Sequence, residues 1–218
     1  MKSCAQAVLF DMDGLLLDSE PVWYDVEHAV VERLGGGWSH EHQAACIGGT
    51  LEASCRYILD LTGAAVTVDE LSDLLLTGMV EHFHAGLPLH TGALELIDAV
   101  RDRGIPTGLV SSSYRVLVDA ALDRIGHDRF DVAVVGDEIT RGKPHPEPYL
   151  TACAKLDVDP TACVVLEDAV SGVASAEAAG CFVVAIPSVA PIPPAPGRAV
   201  VTALAAVDVD WLLALPCS

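Results

Sequence analysis

The chain has 218 residues, of which 51% are hydrophobic, so it can bury a full core as one large domain or two smaller ones. Lysine and arginine number 12 and aspartate and glutamate 31, which gives a formal charge of −19 at pH 7. A surface this acidic repels nucleic acid and anionic lipid, so we expect neither as a partner. A site for an anionic small molecule would need local positive charge from a cation or a well-placed lysine.

The cysteines and the apolar stretches indicate the compartment. Seven cysteines are scattered through the chain without a C-x-x-C pair: Cys4, Cys46, Cys55, Cys153, Cys163, Cys181 and Cys217. Such a set is typical of free thiols in a reducing cytosol, not of a disulfide framework or a zinc site. No apolar run reaches the roughly 18 residues that span a bilayer, and the start of the chain has no signal-peptide layout. We therefore expect a soluble, cytoplasmic protein. The sequence leaves the oligomeric state open and allows a monomer.

The first predicted strand is the apolar run Ala7–Phe10, and a long helical stretch follows it. From about Asp18 to Leu87 no strand-like run occurs, and helical patterns appear at Val22–Leu34, Thr50–Leu61 and Asp69–His84. We predict a helical cap domain over residues 18–87, inserted into a second domain made of residues 1–17 and 88–218.

The rest of the chain alternates between helices and strands. Four further apolar runs predict strands: Thr107–Val110, Val132–Val135, Cys163–Leu166 and Phe182–Ile186. Helices are predicted at Ala93–Arg103, Pro148–Leu156 and Ser171–Ala179. This alternation predicts an α/β fold with a doubly wound parallel sheet, because each parallel connection needs a crossover. The proline-rich stretch Pro187–Arg198 is predicted to be an irregular surface loop.

Polar side chains follow four of the predicted strands. They lie in four short segments: Asp11–Gly14, Ser111–Ser113, Lys143–Pro144 and Glu167–Asp168. Ligands of open α/β sheets bind beyond the carboxyl ends of the strands. Each segment alone has an ordinary explanation, such as a turn or a solvated charge, but together they predict one site where carboxylates, a hydroxyl and a lysine meet.

These segments resemble the haloacid dehalogenase superfamily phosphatases. The matching residues are FDMDGLLLDSEP at 10–21, VSSS at 110–113, GKPHPEPYL at 142–150 and VVLEDAVSGVASAEAAG at 164–180. The likeness is strongest to the β-phosphoglucomutase-like group, which includes hexitol phosphatases and 2-deoxyglucose-6-phosphate phosphatases. It spans almost the whole sheet domain in family order and implies a Rossmann-like core, whereas the cap resembles the family's only in placement and character.

The resemblance implies a reaction through an aspartyl-phosphate. Asp11 would attack phosphorus, and Asp13 would protonate the departing alkoxide and later deprotonate the attacking water. Mg²⁺ would be held by the carboxylates of Asp11 and Asp168 and by the backbone carbonyl of Asp13, since this ion prefers oxygen ligands.

The remaining site residues are also implied by the resemblance. Ser111 and the backbone amide of Ser112 would hold phosphate oxygens, and Lys143 would neutralise charge on the nucleophile and the phosphoryl group. Glu167 either orients a water on the metal or ligates the metal directly, and the sequence does not decide between them. Glu20 is expected either to accept a hydrogen bond from a substrate hydroxyl or to be a solvated charge.

The sequence favours hydrolysis of small sugar or polyol phosphates over three other functions. The mutases of this group carry a histidine and a cap lysine that hold a second phosphate. This chain has Trp23 at the histidine's position, and its cap contains no lysine, only Arg33 and Arg56 as strong cations. A receiver-type phosphoacceptor module would have no cap and no second aspartate, and a dehalogenase proper would need neither Asp13 nor the metal.

Overall fold

A computed structural model describes residues 5–47 and 49–215 of the chain. The chain folds as two compact units: the described residues of Met1–Asp18 and Pro88–Ser218 form one, and those of Ser19–Leu87 form the other. No helix within the described ranges is both long and apolar enough to cross a bilayer. The five cysteines there, from Cys46 to Cys181, are free thiols, while Cys4 and Cys217 lie outside the described residues.

The helices are divided between the two units. The unit Ser19–Leu87 contains α1 (Glu20–Arg33), α2 (His40–Cys46), α3 (Leu51–Thr62) and α4 (Val68–Ala85). The other unit contains α5 (Ala93–Asp102), α6 (Arg115–Ile125), α7 (Glu147–Leu156), α8 (Val170–Ala179) and α9 (Val209–Leu213). The predicted helices are all present, with no end shifted by more than two residues, and α2, α6 and α9 are additional.

The larger unit is built on one six-stranded sheet. Its strands are β1 (Ala7–Phe10), β2 (Thr107–Val110), β3 (Val132–Val134), β4 (Cys163–Glu167), β5 (Phe182–Ala185) and β6 (Arg198–Val200). They pair in parallel in the order β3-β2-β1-β4-β5-β6. Every residue of β1, β2 and β4 is buried, as expected for strands covered on both faces. The predicted α/β doubly wound parallel sheet is confirmed.

One strand of this sheet was not predicted. The sequence predicts an irregular loop through Pro187–Arg198, but β6 begins at Arg198 and pairs with β5 through Val183 and Arg198. A three-residue strand that begins with a charged residue is too short to show a periodic pattern. Residues Val135 and Ile186, predicted as strand ends, lie just beyond β3 and β5.

The helical unit has its own apolar core. Along α4 the side chains of Leu71, Leu75, Met79 and Phe83 are fully buried, and their spacing of four places them on one helix face. The α4 helix begins with a capping box in which Thr67 and Glu70 bond each other's backbone amide. The helical unit therefore has apolar packing of its own.

The strand order places the polar strand ends at one point of the sheet. The chain order reverses between β1 and β4, and such a switch point leaves a crevice at the carboxyl ends of the strands. The amide of Asp11 donates to Leu166 O at 3.1 Å, and that of Ser111 donates to Val134 O at 3.0 Å, so both residues directly extend their strands.

Candidate active site

Lys143 connects the ends of three strands. Its Nζ donates to Asp11 Oδ1 at 2.5 Å, to Glu167 Oε1 at 2.7 Å and to Val110 O at 2.9 Å. The lysine side chain is only 5% exposed. Burial opposes its charge, but Asp11 and Glu167 more than compensate and raise the pKa of Lys143 above its usual value. The site therefore contains a permanently charged ammonium.

Three buried carboxylates surround this ammonium. One oxygen each of Asp11, Glu167 and Asp168 lies within 4.8 Å of the others, and this is the one group of possible metal ligands found in the described parts of the chain. Three carboxylates and one lysine carry a formal charge of −3 + 1 = −2. Burial raises the pKa of Asp11 well above its usual value, with Lys143 opposing, and raises that of Asp168 to about 7. With all three carboxylates ionised, the cluster has the charge that a divalent cation would balance, and such an ion would oppose this rise in pKa.

Asp168 provides an independent test of whether a cation fits. Its Oδ2 accepts a hydrogen bond from Ser188 Oγ, but its Oδ1 is buried and has no hydrogen-bond partner among the described residues. A buried carboxylate oxygen without a partner costs about 1–3 kcal/mol or more, because it has lost its water. Coordination to a hard divalent cation would satisfy it, so the residues present fit such an ion.

Both carboxylate oxygens of Glu167 accept hydrogen bonds from other groups of the protein. Its Oε1 accepts from Lys143 Nζ and from Tyr149 Oη, at 2.7 and 2.8 Å. Its Oε2 accepts from the backbone amides of Asp168 and Ala169 at 3.0 and 3.1 Å. With both oxygens bonded twice, Glu167 holds the lysine and the start of the following loop in place. Its expected role toward the metal, as a direct ligand or through a water, stays a prediction.

Tyr149 was not singled out from the sequence, although it lies inside the segment at 142–150. Its ring centroid is 5.1 Å from Lys143 Nζ, a distance at which the ring face attracts a cation. The tyrosine is fully buried on α7, and burial followed by the charge of Glu167 raises the pKa of its hydroxyl well above the usual value. The hydroxyl therefore stays protonated and donates.

Two glycines make room for the carboxylates. Gly14 has φ +83°, and a Cβ there would lie 2.1 Å from Asp168 Oδ2. A Cβ on Gly172 of α8 would lie 1.7 Å from Glu167 Oε1. A side chain at either position would displace a site carboxylate, which explains the glycines in both segments.

Asp13 contacts the serine segment after β2. Its Oδ2 accepts from Ser113 Oγ at 2.7 Å and from Ser111 Oγ at 3.2 Å. The backbone amide of Ser113 also donates to Ser111 Oγ at 2.9 Å. Ser112 is exposed beside them. The structure therefore groups Asp11, Lys143, Glu167 and Asp168 in one cluster and Asp13 with Ser111 in a second, and it adds Ser113, Ser188 and Tyr149 as contacts.

Glu20 belongs to the helical unit, where it is the first residue of α1. Gln43 Nε2 donates to its backbone oxygen at 2.8 Å and lies 3.5 Å from its Oε2. The expected contact with a substrate hydroxyl stays a prediction.

Comparison with known proteins places this geometry in a family context. The family model described as "Haloacid dehalogenase-like hydrolase" matches residues 8–186. Hexitol phosphatase B of Escherichia coli (strain K12) is 31% identical over 84% of this chain and 83% of its own length. The "Phosphorylated carbohydrates phosphatase" of Thermotoga maritima is 29% identical over 80% of this chain and 82% of its own.

A solved structure shares the fold. The crystal structure of CbbY from Rhodobacter sphaeroides in complex with phosphate superposes with a TM-score of 0.83 and covers 93% of this chain and 96% of that one. At 24% identity, this likeness concerns the fold alone.

Proposed function

We propose, because the chain belongs to the haloacid dehalogenase-like hydrolase family, that it is a phosphatase that hydrolyses monoesters of small sugars or polyols. The observation that carries the proposal is the contact of Lys143 with Asp11, 2.5 Å apart beside Asp168 at the switch point of the sheet. The printed names of relatives, a hexitol phosphatase and a phosphatase of phosphorylated carbohydrates, support the substrate class.

Asp11 is proposed as the nucleophile. It attacks phosphorus and forms an aspartyl-phosphate, and water then hydrolyses this intermediate, so one difficult displacement becomes two easier ones. Lys143 holds Asp11 Oδ1 and lowers the negative charge that the carboxylate presents to a phosphate. Its bond to Glu167 and its contact with Tyr149 fix the ammonium in that position.

Asp13 is proposed as the general acid and base. It gives a proton to the departing alkoxide in the first step and takes one from water in the second. Ser111 and the backbone amide of Ser112 are proposed to hold oxygens of the phosphate.

Mg²⁺ is the proposed cofactor. Asp11, Asp168 and the backbone carbonyl of Asp13 would hold it, and the unpartnered Oδ1 of Asp168 supports this assignment. When bound, the ion supplies positive charge that offsets the carboxylates and the phosphate.

The proposed partner is a small phosphorylated metabolite of the cytoplasm. Glu20 is proposed to accept a hydrogen bond from one of its hydroxyls. The net charge of −19 disfavours nucleic acid and anionic membranes as partners.

Release of inorganic phosphate from a panel of hexose, pentose and hexitol phosphates tests the proposal. With Mg²⁺ we expect turnover of about 1 per second or faster on at least one member, and loss of activity with EDTA. No release from any member, with p-nitrophenyl phosphate included, would contradict the proposal. Conversion of a hexose 1-phosphate into its 6-phosphate that depends on a sugar bisphosphate would instead favour a phosphomutase.

A further inference from the structure

We propose that Ser113 is a positioning residue for Asp13, and that its hydroxyl holds the carboxyl group in place for protonation of the leaving group. The inference rests on the proposed phosphatase function, because it assigns a task within that reaction. It concerns a residue to which neither the sequence pattern nor the family resemblance gave a role.

The first argument is geometric. Of the two serine hydroxyls that contact Asp13 Oδ2, that of Ser113 is the closer, at 2.7 Å against 3.2 Å for Ser111. The shorter distance is that of a good hydrogen bond to a carboxyl oxygen, and the longer one is beyond the usual range for two oxygens.

The second argument is competition for a proton. A serine hydroxyl has one proton and can donate it to one acceptor at a time. If Ser111 donates to a phosphate oxygen, as proposed, it cannot also donate to Asp13. Of these two hydroxyls, only that of Ser113 then continues to hold Oδ2 while substrate is bound.

The third argument concerns where the acid's proton lies. In a protonated carboxyl group one oxygen carries the proton and the other accepts hydrogen bonds. Because Ser113 donates to Oδ2, it favours the form of Asp13 with its proton on Oδ1. The hydroxyl thereby gives the acid a defined orientation, and misorientation of a proton donor lowers the rate of transfer.

Ser113→Ala removes the side-chain contact with Asp13 without removing a backbone hydrogen bond of this segment. The bond that orders the segment, from the Ser113 amide to Ser111 Oγ at 2.9 Å, uses the main chain and does not need the hydroxyl. Ser113→Ala therefore removes the contact with Asp13 and leaves this bond, whereas Ser113→Thr keeps a hydroxyl at the same place.

The test compares two leaving groups of similar size. p-Nitrophenolate departs without a proton, whereas the alkoxide of benzyl phosphate needs one. The value of kcat/KM covers the steps up to release of the leaving group, so it excludes the later hydrolysis of the intermediate. We expect Ser113→Ala to lower kcat/KM for benzyl phosphate about 10- to 100-fold, to change that for p-nitrophenyl phosphate by less than about threefold, and to be largely rescued by Ser113→Thr.

Ser111→Ala is the comparison, because its proposed phosphate contact is common to both substrates. Its loss should lower kcat/KM for p-nitrophenyl phosphate as well, which Ser113→Ala should spare. Provided that wild type is active, the inference would be overturned if Ser113→Ala lowered kcat/KM equally for the two substrates, or lowered it for neither. Absence of wild-type activity on both substrates and on the sugar phosphates would instead reject the phosphatase function itself.

Discussion

Lys143 is the residue on which the electrostatics of the site depend. It is the cation that contacts both Asp11 and Glu167, and Asp168 lies in the same buried cluster. Removing one partner of a buried ion pair destabilises a protein more than replacing the whole pair by apolar residues. The remaining charge then stays buried without a partner.

Lys143→Met should lower the free energy of unfolding by about 3–5 kcal/mol at neutral pH without Mg²⁺, measured by urea denaturation. The loss should be smaller at acid pH, because the raised pKa values of Asp11 and Asp168 allow them to become neutral there. Lys155→Met, at an exposed lysine of α7, is the control and should change stability by less than about 0.5 kcal/mol. Equal effects of the two substitutions would contradict the buried-charge account.

The sequence indicated some residues of the site and not others, for a physical reason. Asp11 and Ser111 immediately follow strands, so a strand pattern alone places them at the sheet edge. Ser188 contacts Asp168 from twenty residues away in an irregular stretch, and no local pattern encodes such a contact. The roles assigned to all of these residues stay predictions.

A side-chain hydrogen bond joins the α7 helix to the β4 strand at the site. Tyr149 of α7 donates to Glu167, the last residue of β4, and both are buried. A hydrogen bond to a charged acceptor contributes about 1.5–3 kcal/mol when its loss leaves the acceptor short of a donor.

Tyr149→Phe should therefore destabilise the protein by about 1–3 kcal/mol and keep the ring face toward Lys143. Tyr149→Leu removes the ring as well and should cost more in both stability and kcat. Urea unfolding and steady-state kinetics measure the two effects. A Phe variant as stable as wild type would show that the hydroxyl is not needed to satisfy Glu167.

In the helical unit, α1 has a buried carboxyl group of its own. Glu27 is 4% exposed, and neither its Oε2 nor the neighbouring Trp38 Nε1 has a hydrogen-bond partner within the described residues. Burial, with a smaller contribution from the negative charge of Glu20, raises the pKa of Glu27 to about 7, and the nearby indole N–H of Trp38 opposes the rise because its positive end favours the carboxylate. Burial, with a smaller contribution from the charge of Glu27, also raises the pKa values of the Cys46 and Cys55 thiols.

Glu27 should make stability fall as pH rises. Its folded pKa lies above the unfolded value, so its contribution is complete below about pH 4 and is lost as pH rises through about 7. Glu27→Gln mimics the protonated form, so it should match wild type below about pH 4 and be up to about 3 kcal/mol more stable at pH 8. The difference between the two proteins isolates Glu27 from Asp168, which shifts in the same direction. A difference that stays constant from pH 5 to 8 would rule out this titration.

Helices and strands with a clear spacing of apolar residues were predicted from the sequence, whereas those without one were not. The α4 helix repeats apolar residues at Leu71, Leu75 and Met79, so its period was clear. The strand β6 has three residues and begins with a charged residue, so it lacks the apolar run that marked the equally short β3. Strand order was likewise absent from the prediction, because local periodicity says nothing about which strands become neighbours.

At the scale of the whole molecule, the net charge of −19 opposes the proposed substrate, a dianion. Salt screens exposed charges over about 8–10 Å, but it affects a buried lysine and its partners much less. Added salt should therefore weaken the long-range repulsion more than the attraction within the site.

Consequently, kcat/KM for a sugar phosphate should rise up to about threefold when ionic strength increases from about 0.01 M to about 0.15 M at fixed Mg²⁺. The binding affinity of a neutral ester, measured as an inhibitor under the same conditions, should show no such rise. A fall in kcat/KM with salt would mean that local positive charge, not net charge, governs the approach of substrate.

The central claim is that Asp11 becomes phosphorylated, and Asp13→Asn provides the most direct measurement. This variant keeps the nucleophile but lacks the base for hydrolysis of the intermediate, so mixing it with Mg²⁺ and p-nitrophenyl phosphate should accumulate phosphoenzyme. Acid quenching followed by peptide mass spectrometry should find one phosphoryl group on Asp11, and none when Asp11→Asn is added to the variant. A phosphoryl group on any other residue, or undiminished turnover by Asp11→Asn alone, would contradict the account.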